Sequence, residues 1–239
     1  MGIAQQFEQI ISQHLRAHAA WMPITNNFKL GDYGVISNGV FTKMGNVQQD
    51  FNVTFTQAEG PEANLDFVSD STRVIKFAGG AEVSVIPQGA IDAKVTLKFE
   101  KAKSLMIKAP SIAVTNIENV SSVFEQLKAN GSWDLKMIIV FQTYFAKDAV
   151  IISNIDAGTE ISLSGDATAL QNFKLGNAGI EMNSNKKVGL QILGKGGIIA
   201  LGLVRLKKPL FGDERVVFLG TQDPIEVEEL ANQPLEDDV

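Results

Sequence analysis

The sequence predicts an α+β fold: a twisted, mostly antiparallel sheet with an N-terminal amphipathic helix and one or more further packed helices. Three observations carry this. Residues 3 to 19 place Ile3, Phe7, Ile10, Ile11, Leu15 and Ala19 at three- and four-residue spacings, one apolar stripe of a helix. From about residue 24 to 100 the chain breaks into short β-prone runs punctuated by Gly, Asn and Pro. Ile91, Ala93, Val95, Leu97 and Phe99 alternate with Asp92, Lys94, Thr96, Lys98 and Glu100, the period of a strand with one apolar face.

Composition bounds the rest. The chain has 239 residues, 45% hydrophobic and 20% charged, with 21 Gly, 7 Pro and no Cys, the proportions of a globular protein. Without cysteine there is no disulfide, thiolate nucleophile or Cys-ligated zinc, so packing must supply the stability. Met1 to Arg16 lacks a basic segment followed by an unbroken apolar run, so no secretory signal is read there. The apolar runs Met137 to Phe141 and Gly196 to Val204 fall short of the roughly 18 to 20 residues of a spanning helix. The expectation is a soluble, cytoplasmic chain.

After the first helix, strands are expected at Tyr33 to Ile36 and Val40 to Lys43, joined through Ser37-Asn38-Gly39, then at Phe51 to Phe55, Leu65 to Val68 and Val74 to Phe77. Pro87-Gln88-Gly89 is read as the turn of a long amphipathic hairpin over residues 73 to 100. A second helix is expected between a capping-box pattern at Thr115 and Glu118 and a stop at Asn130-Gly131, with Ile117, Val120, Val123, Phe124 and Leu127 as its buried stripe. Leu135 to Tyr144 reads as a central strand covered on both faces. Val150 to Ile155, Glu160 to Leu163, Asn172 to Leu175, Lys187 to Leu193 and Ile198 to Leu206 follow as a second set of hairpins, and a short helix is expected near Pro224.

The charge divides sharply along the chain. Residues 1 to 208 hold 20 Lys/Arg against 18 Asp/Glu, whereas residues 209 to 239 hold one Arg and nine acids, so the net −6 resolves into +2 and −8. Two domains are drawn on this division: a body at 1–208 and an acidic tail at 209–239, either a solvated terminus or a displaceable cover for the body.

The sites for chemistry are sparse. His14 and His18 lie four apart on one helix, but no further ligand completes a metal site, and no GxSxG elbow is present. Gly189 to Gly196 misses the phosphate-loop pattern at its last position, where Gly196 lacks a hydroxyl, and reads as a glycine turn between strands. No catalytic residue, cofactor or metal is assigned and an enzyme is not expected. Lysines 94, 98, 101, 103 and 108 sit beside Leu, Met and Ile rather than stacking aromatics, so nucleic acid is not the expected partner. Leu105, Met106 and Ile107 between Lys103 and Lys108 read as an interfacial segment suited to an anionic membrane.

Phe7 to His18 followed by Trp21-Met22-Pro23-Ile24-Thr25 and the hairpin to Gly45-Asn46 resembles the opening of the gasdermin pore-forming domain. Lys76 to Ser84 is similar to the lead into that domain's first membrane hairpin. Val123 to Leu127, Gly131 and Ile138 to Phe145 are similar to its helix and central strand, and Lys186 to Leu206 to its closing strands. The chain departs from the family in lacking the large repressor domain and the lipid-bearing N-terminal cysteine, and in its modest body charge.

The resemblance implies a pore former that binds anionic lipid, oligomerises with itself or a related chain and inserts amphipathic hairpins in cell death or defence. It would be cytoplasmic when soluble and at the membrane when active. On this reading Ile91, Ala93, Val95, Leu97 and Phe99 face lipid in a membrane hairpin, with residues 150 to 193 as a second hairpin region. Arg16, Trp21, Phe41, Lys43, Lys101 and Lys103 make first lipid contact. Asp213, Arg215 and Asp223 mark a linker that an activating protease could cut. A soluble antiparallel sheet gives the same alternation, so a β-rich module binding a lipid or protein partner stays open.

Overall fold

The computed structural model describes residues 2–37, 39–131, 133–172, 180–207 and 214–219. In chain order the elements are α1 (Ile3–Leu15), β1 (His18–Ala19), β2 (Asp32–Ser37), β3 (Val40–Asn46), α2 (Val47–Asp50), β4 (Gln57–Glu59), β5 (Ala63–Val68), β6 (Thr72–Ala78), β7 (Ala81–Val83), β8 (Lys94–Phe99) and β9 (Leu105–Ile117). There follow α3 (Val120–Asn130), β10 (Ile138–Asn154), β11 (Thr159–Ser164), α4 (Ala167–Asn172), β12 (Glu181–Ser184), β13 (Val188–Lys207) and β14 (Arg215–Leu219). The architecture is α+β, built from antiparallel strand pairs.

Two compact units form from interleaved segments. One takes the described residues of Met1–Phe7, Glu62–Ile112 and Ala146–Gly197; the other takes those of Glu8–Pro61, Ala113–Phe145 and Ile198–Val239.

In the first unit a five-stranded sheet runs β12-β11-β8-β6-β7. Its core joins Val95, Leu97 and Phe99 of β8 to Ile161 and Leu163 of β11, with Met106, Val150, Ile152 and Leu170 packed on them. The hairpin turn between β6 and β7 is Gly79-Gly80, both at positive φ (58° and 79°), where L side chains are strained. Pro87 to Gly89 lies instead in the connection from β7 to β8, and that connection is pinned by the fully buried Ile86.

The strand expected from Ile91 therefore starts three residues late, at Lys94, with Ala93 already buried ahead of it. Asp92 adopts φ 52° and breaks it, leaving Ile91 77% exposed while Gly79 N–H donates to its carbonyl at 2.9 Å. Leu105, Met106 and Ile107, expected at an interface, are buried in β9, whose outer half pairs with β5. Residues 167–172 form α4 where a strand was expected from Asn172; residues 173–175 lie outside the described residues.

In the second unit the strands run β1-β13-β10-β2-β3, with β14 paired to β13 and β4 to the last residues of β9. The β2–β3 hairpin pairs as expected, with Ser37 opposite Val40 at its closed end. Its ladder shifts between Tyr33 and Gly34, which pair with Gly45 and Lys43, so Met44 has no cross-strand partner. Gly34 is needed there: a Cβ would stand 1.9 Å from the Thr42 carbonyl oxygen.

Helix α3 ends as its sequence demands, at Gly131 with φ 72°. Its start is at Val120, because Thr115 is held in β9 opposite Glu59 and Asn119 Oδ1 accepts from Thr56 N–H at 2.9 Å. Val123, Phe124 and Leu127 of α3 pack with Leu30, Val47, Ile139, Val204 and Leu206. Phe51 to Phe55 is not a strand, and its aromatic ends pack on the same core. Helix α1 stops at Leu15 rather than Ala19: Arg16 turns at φ 51°, and His18 and Ala19 pair with Leu201 and Ala200.

Two pairs of expected strands are single ones. Residues 138–154 run through a positive-φ Asp148 as β10, and residues 188–207 run through Gly194 at φ 59° as β13. The phosphate-loop-like string Gly189 to Gly196 is therefore strand, not the hairpin turn expected.

Candidate functional site

The amphipathic sheet of the first unit is the feature on which the membrane-hairpin residues converge. Val74 lies opposite Leu97, which lies opposite Ile161; Phe99 faces Thr159, and Val95 faces Leu163. Opposed residues in an antiparallel ladder share a face, so Val74, Val95, Leu97, Phe99, Ile161 and Leu163 form one apolar surface across three strands. The other face carries Arg73, Lys94, Lys98, Glu160 and Ser162, with Lys98 Nζ 3.0 Å from Glu160 Oε1 and Thr96 Oγ1 3.2 Å from Ser162 Oγ.

Of the five residues assigned to the hairpin, Ala93, Val95, Leu97 and Phe99 meet in one core and Ile91 does not. Strand β6 departs from the pattern: Lys76 shares the side of Val74, and Ile75 and Phe77 share the charged side, where Lys94 Nζ stands 6.0 Å from the Phe77 ring centroid. A cleft of about 390 Å³ opens beside Lys76, lined by Val68, Val74, Val83 and Lys108 among others.

The first-contact residues fall in both units. Lys101 and Lys103 are exposed on the loop before β9, with Lys103 at φ 59°. In the second unit Arg16 is exposed and Trp21 half-buried. Phe41 is 4% exposed, packed with Val140, Leu201 and Leu203 and 5.7 Å from the Phe28 ring, so it is a core residue and not a membrane anchor.

Lys43 is not a free cation either. Its Nζ lies 2.9 Å from Oδ2 of the fully buried Asp32, which also accepts from Lys29 N–H at 2.9 Å and from Asn46 Nδ2 at 2.8 Å. Sequence reasoning passed over the exposed apolar side chains Met22, Met44, Val85 and Ile155; Met44, left without a partner by the ladder shift, is 58% exposed.

Arg215, expected in a cleavable linker, is paired opposite Lys207 as the first residue of β14. Asp213 and Asp223, and the helix expected near Pro224, lie outside the described residues. His18 is buried, with Nδ1 3.1 Å from Glu8 Oε1, and the described residues contain no cluster that could hold a metal. Among them no helix is long and apolar enough to cross a membrane, which leaves strands aside. Two tyrosines are held neutral to unusually high pH: Tyr33 by burial and then by its hydrogen bond and repulsion with Asp50, and Tyr144 by burial.

No family model matches the sequence, and no curated protein matches it. Among solved structures the chain is similar to the gasdermin A3 membrane pore, determined by cryo-electron microscopy, at 10% identity and a TM-score of 0.35 over 91% of this chain and 94% of that one. At that level of likeness any functional reading rests on this chain's own residues.

Proposed function

We propose that the chain is a non-enzymatic membrane-permeabilising protein. Its first unit releases amphipathic strands to insert as hairpins in anionic membranes, in regulated cell death or defence. The observation that supports this is the shared apolar face of β6, β8 and β11. A strand with period-two alternation buries that face in a core or turns it to lipid without any change of sequence. A membrane strand needs roughly 9 to 11 residues, so β8, six residues long, has to recruit the connection holding Ile86 and Ile91. The order of sequence segments that resembles gasdermins supports the same reading, and with it we propose oligomers of this chain or with a related one, a cytoplasmic soluble form, and control by the acidic tail through cleavage or a partner chain.

The absence of cysteine makes the test direct. Single cysteines at positions 94 to 99, labelled with an environment-sensitive dye, should alternate between apolar and aqueous emission in phosphatidylserine vesicles that leak their contents. Leakage without alternation removes the hairpin reading, and no leakage under any activation removes the function.

A second reading, a soluble β-rich module for a small lipid or protein partner, is favoured by one observation. Lys76 interrupts the apolar face of β6 and borders the cleft lined by Val68, Val74 and Val83. It requires vesicle contents to stay sealed while a fluorescent fatty acid is bound and then displaced by filling the cleft with Val83→Trp.

A further inference from the structure

A groove of about 620 Å³ opens in the second unit between the start of α3, β10 and β14. Its apolar floor is Ile117, Val120 and the rings of Phe141 and Phe218, which meet edge to face at 4.9 Å. Phe218 is 44% exposed, so its ring surface is open to the groove. The described lining holds two carboxylates, Glu118 and Glu125, and no Lys or Arg. Side chains that would neutralise or cover these acids are engaged elsewhere. Lys128, three residues on from Glu125, has its Nζ 2.9 Å from Glu214 Oε2. Gln126 Nε2 donates to the Thr54 carbonyl at 2.9 Å, and Asn119 Oδ1 accepts from Thr56 N–H at 2.9 Å. Among the described residues neither Glu118 nor Glu125 has an ion pair.

We propose that this groove binds a linear polyamine, a chain of methylenes with an ammonium group at each end. Charge complementarity selects a cation, and two unpaired carboxylates select one that carries more than one charge. The methylenes lie along the phenyl rings as the stem of a lysine does on apolar surface, and an ammonium is drawn to a ring face as well as to a carboxylate. The spacing asks for a long ligand. Glu125 stands about 7.5 Å along the helix axis from Val120, and the two further residues back to Glu118 add up to about 7 Å, more than one ammonium bridges. The dipole of α3 opposes a cation at its first turn with about half an elementary charge, against two whole carboxylates. This binding goes beyond the proposed function and does not rest on it.

Titration of the full chain with spermidine, followed by NMR at the Ile117 and Val120 methyls and the Phe141 and Phe218 rings, tests it. Reading the groove's own signals discounts polyamine gathered loosely by acids elsewhere in the chain. These signals should move together and saturate, and n-butylamine, with a single ammonium, should need a several-fold higher concentration. Glu118→Gln and Glu125→Gln, both at exposed positions, should each raise the spermidine midpoint about two- to fivefold with an unchanged circular dichroism spectrum. Phe218→Leu, which keeps an apolar side chain but removes the ring, should raise it about two- to fivefold as well. The shifts should vanish at about 1 M salt, where the screening length is about 3 Å. Groove signals that ignore spermidine, or that respond equally in the Glu118→Gln/Glu125→Gln double variant, would overturn the site. So would n-butylamine binding as tightly as spermidine, because the groove would then read one charge and not two. No membrane enters these measurements, so the polyamine site and the proposed function fail separately.

Discussion

The ammonium of Lys43 lies 2.9 Å from Oδ2 of Asp32, a carboxylate with no exposed surface at the base of the β2–β3 hairpin. Asn46 Nδ2 and Lys29 N–H complete the coordination of that carboxylate, so a segment that reads as a charged, lipid-facing hairpin is a structural clamp. Removing one member of a buried pair leaves the other uncompensated, typically at about 3–5 kcal/mol. Lys43→Met should lower the unfolding free energy by about 3 kcal/mol in urea titrations, and its loss of vesicle binding should track its loss of fold. Met44→Ala, at the exposed bulge, should leave stability within about 0.5 kcal/mol. Equal stability of Lys43→Met and the parent chain would remove the clamp.

Ile86 and Ile91 sit five residues apart in the connection to β8, one wholly buried and one 77% exposed. Ile86→Ala opens a cavity among Val95, Leu97 and Phe99 and should cost about 2–5 kcal/mol, while Ile91→Ala should cost less than about 0.5 kcal/mol. If the connection is the segment that β8 recruits on insertion, Ile86→Ala should also speed vesicle leakage by loosening the soluble form. Leakage slower than that of the parent chain would count against this order of events.

Helix α1 and the strands β2, β3, β5, β6 and β11 were legible because local signals and tertiary packing agree there. Phe7, Ile10 and Ile11 keep the helical spacing into the core, and Gly131 ends α3 where it must. The failures have a common cause in single backbone angles and long-range pairs. One positive-φ residue, Asp92, rotates Ile91 out of the core; Asp tolerates that conformation, but it equally suits the solvent face of the strand the alternation predicts. Asp148 falls between two expected strands and Gly194 in an expected turn, yet both sit at positive φ inside strands of 17 and 20 residues.

At Thr115 a capping-box pattern loses to the ladder with β4. The Asp32–Lys43 pair was within reach: a two-residue turn at 38–39 sets Gly34 opposite Lys43, which makes Asp32 its diagonal neighbour. The amphipathic face was legible at Val95, Leu97 and Phe99; its continuation through Val74, Ile161 and Leu163 depends on register, which one strand cannot reveal.

The two tyrosines set an alkaline limit. A group whose folded pKa lies above its unfolded value contributes fully below the unfolded value and loses that contribution as pH rises through the folded one. For Tyr33 and Tyr144 the unfolded value is near 10, so stability should be flat up to about pH 9.5 and fall above about pH 10. Tyr33→Phe with Tyr144→Phe should flatten that fall, measured by urea unfolding between pH 8 and 11. An unchanged slope would place the alkaline loss elsewhere, for example in lysine deprotonation.

The acidic segment does not begin where its charge begins. Residues 215–219 form β14, in which Leu219 is buried with Leu201 and Leu203, and the Phe218 ring meets Phe141 edge-on at 4.9 Å. Ending the chain at Lys208 therefore strips a strand from β13, bares the backbone of residues 203–207 and removes Leu219, whose burial alone stabilises by about 1.5–3 kcal/mol. That truncation should lower Tm by roughly 10 °C, and any vesicle leakage it shows would report an unfolding chain. Ending the chain at Leu219 keeps the whole ladder and deletes only residues 220–239, so its Tm should stay within about 3 °C of the parent. If the acidic segment restrains the protein, this shorter chain should leak anionic vesicles faster than the full one at equal fold content by circular dichroism. Equal rates, with Tm preserved, would assign residues 220–239 to solubility alone.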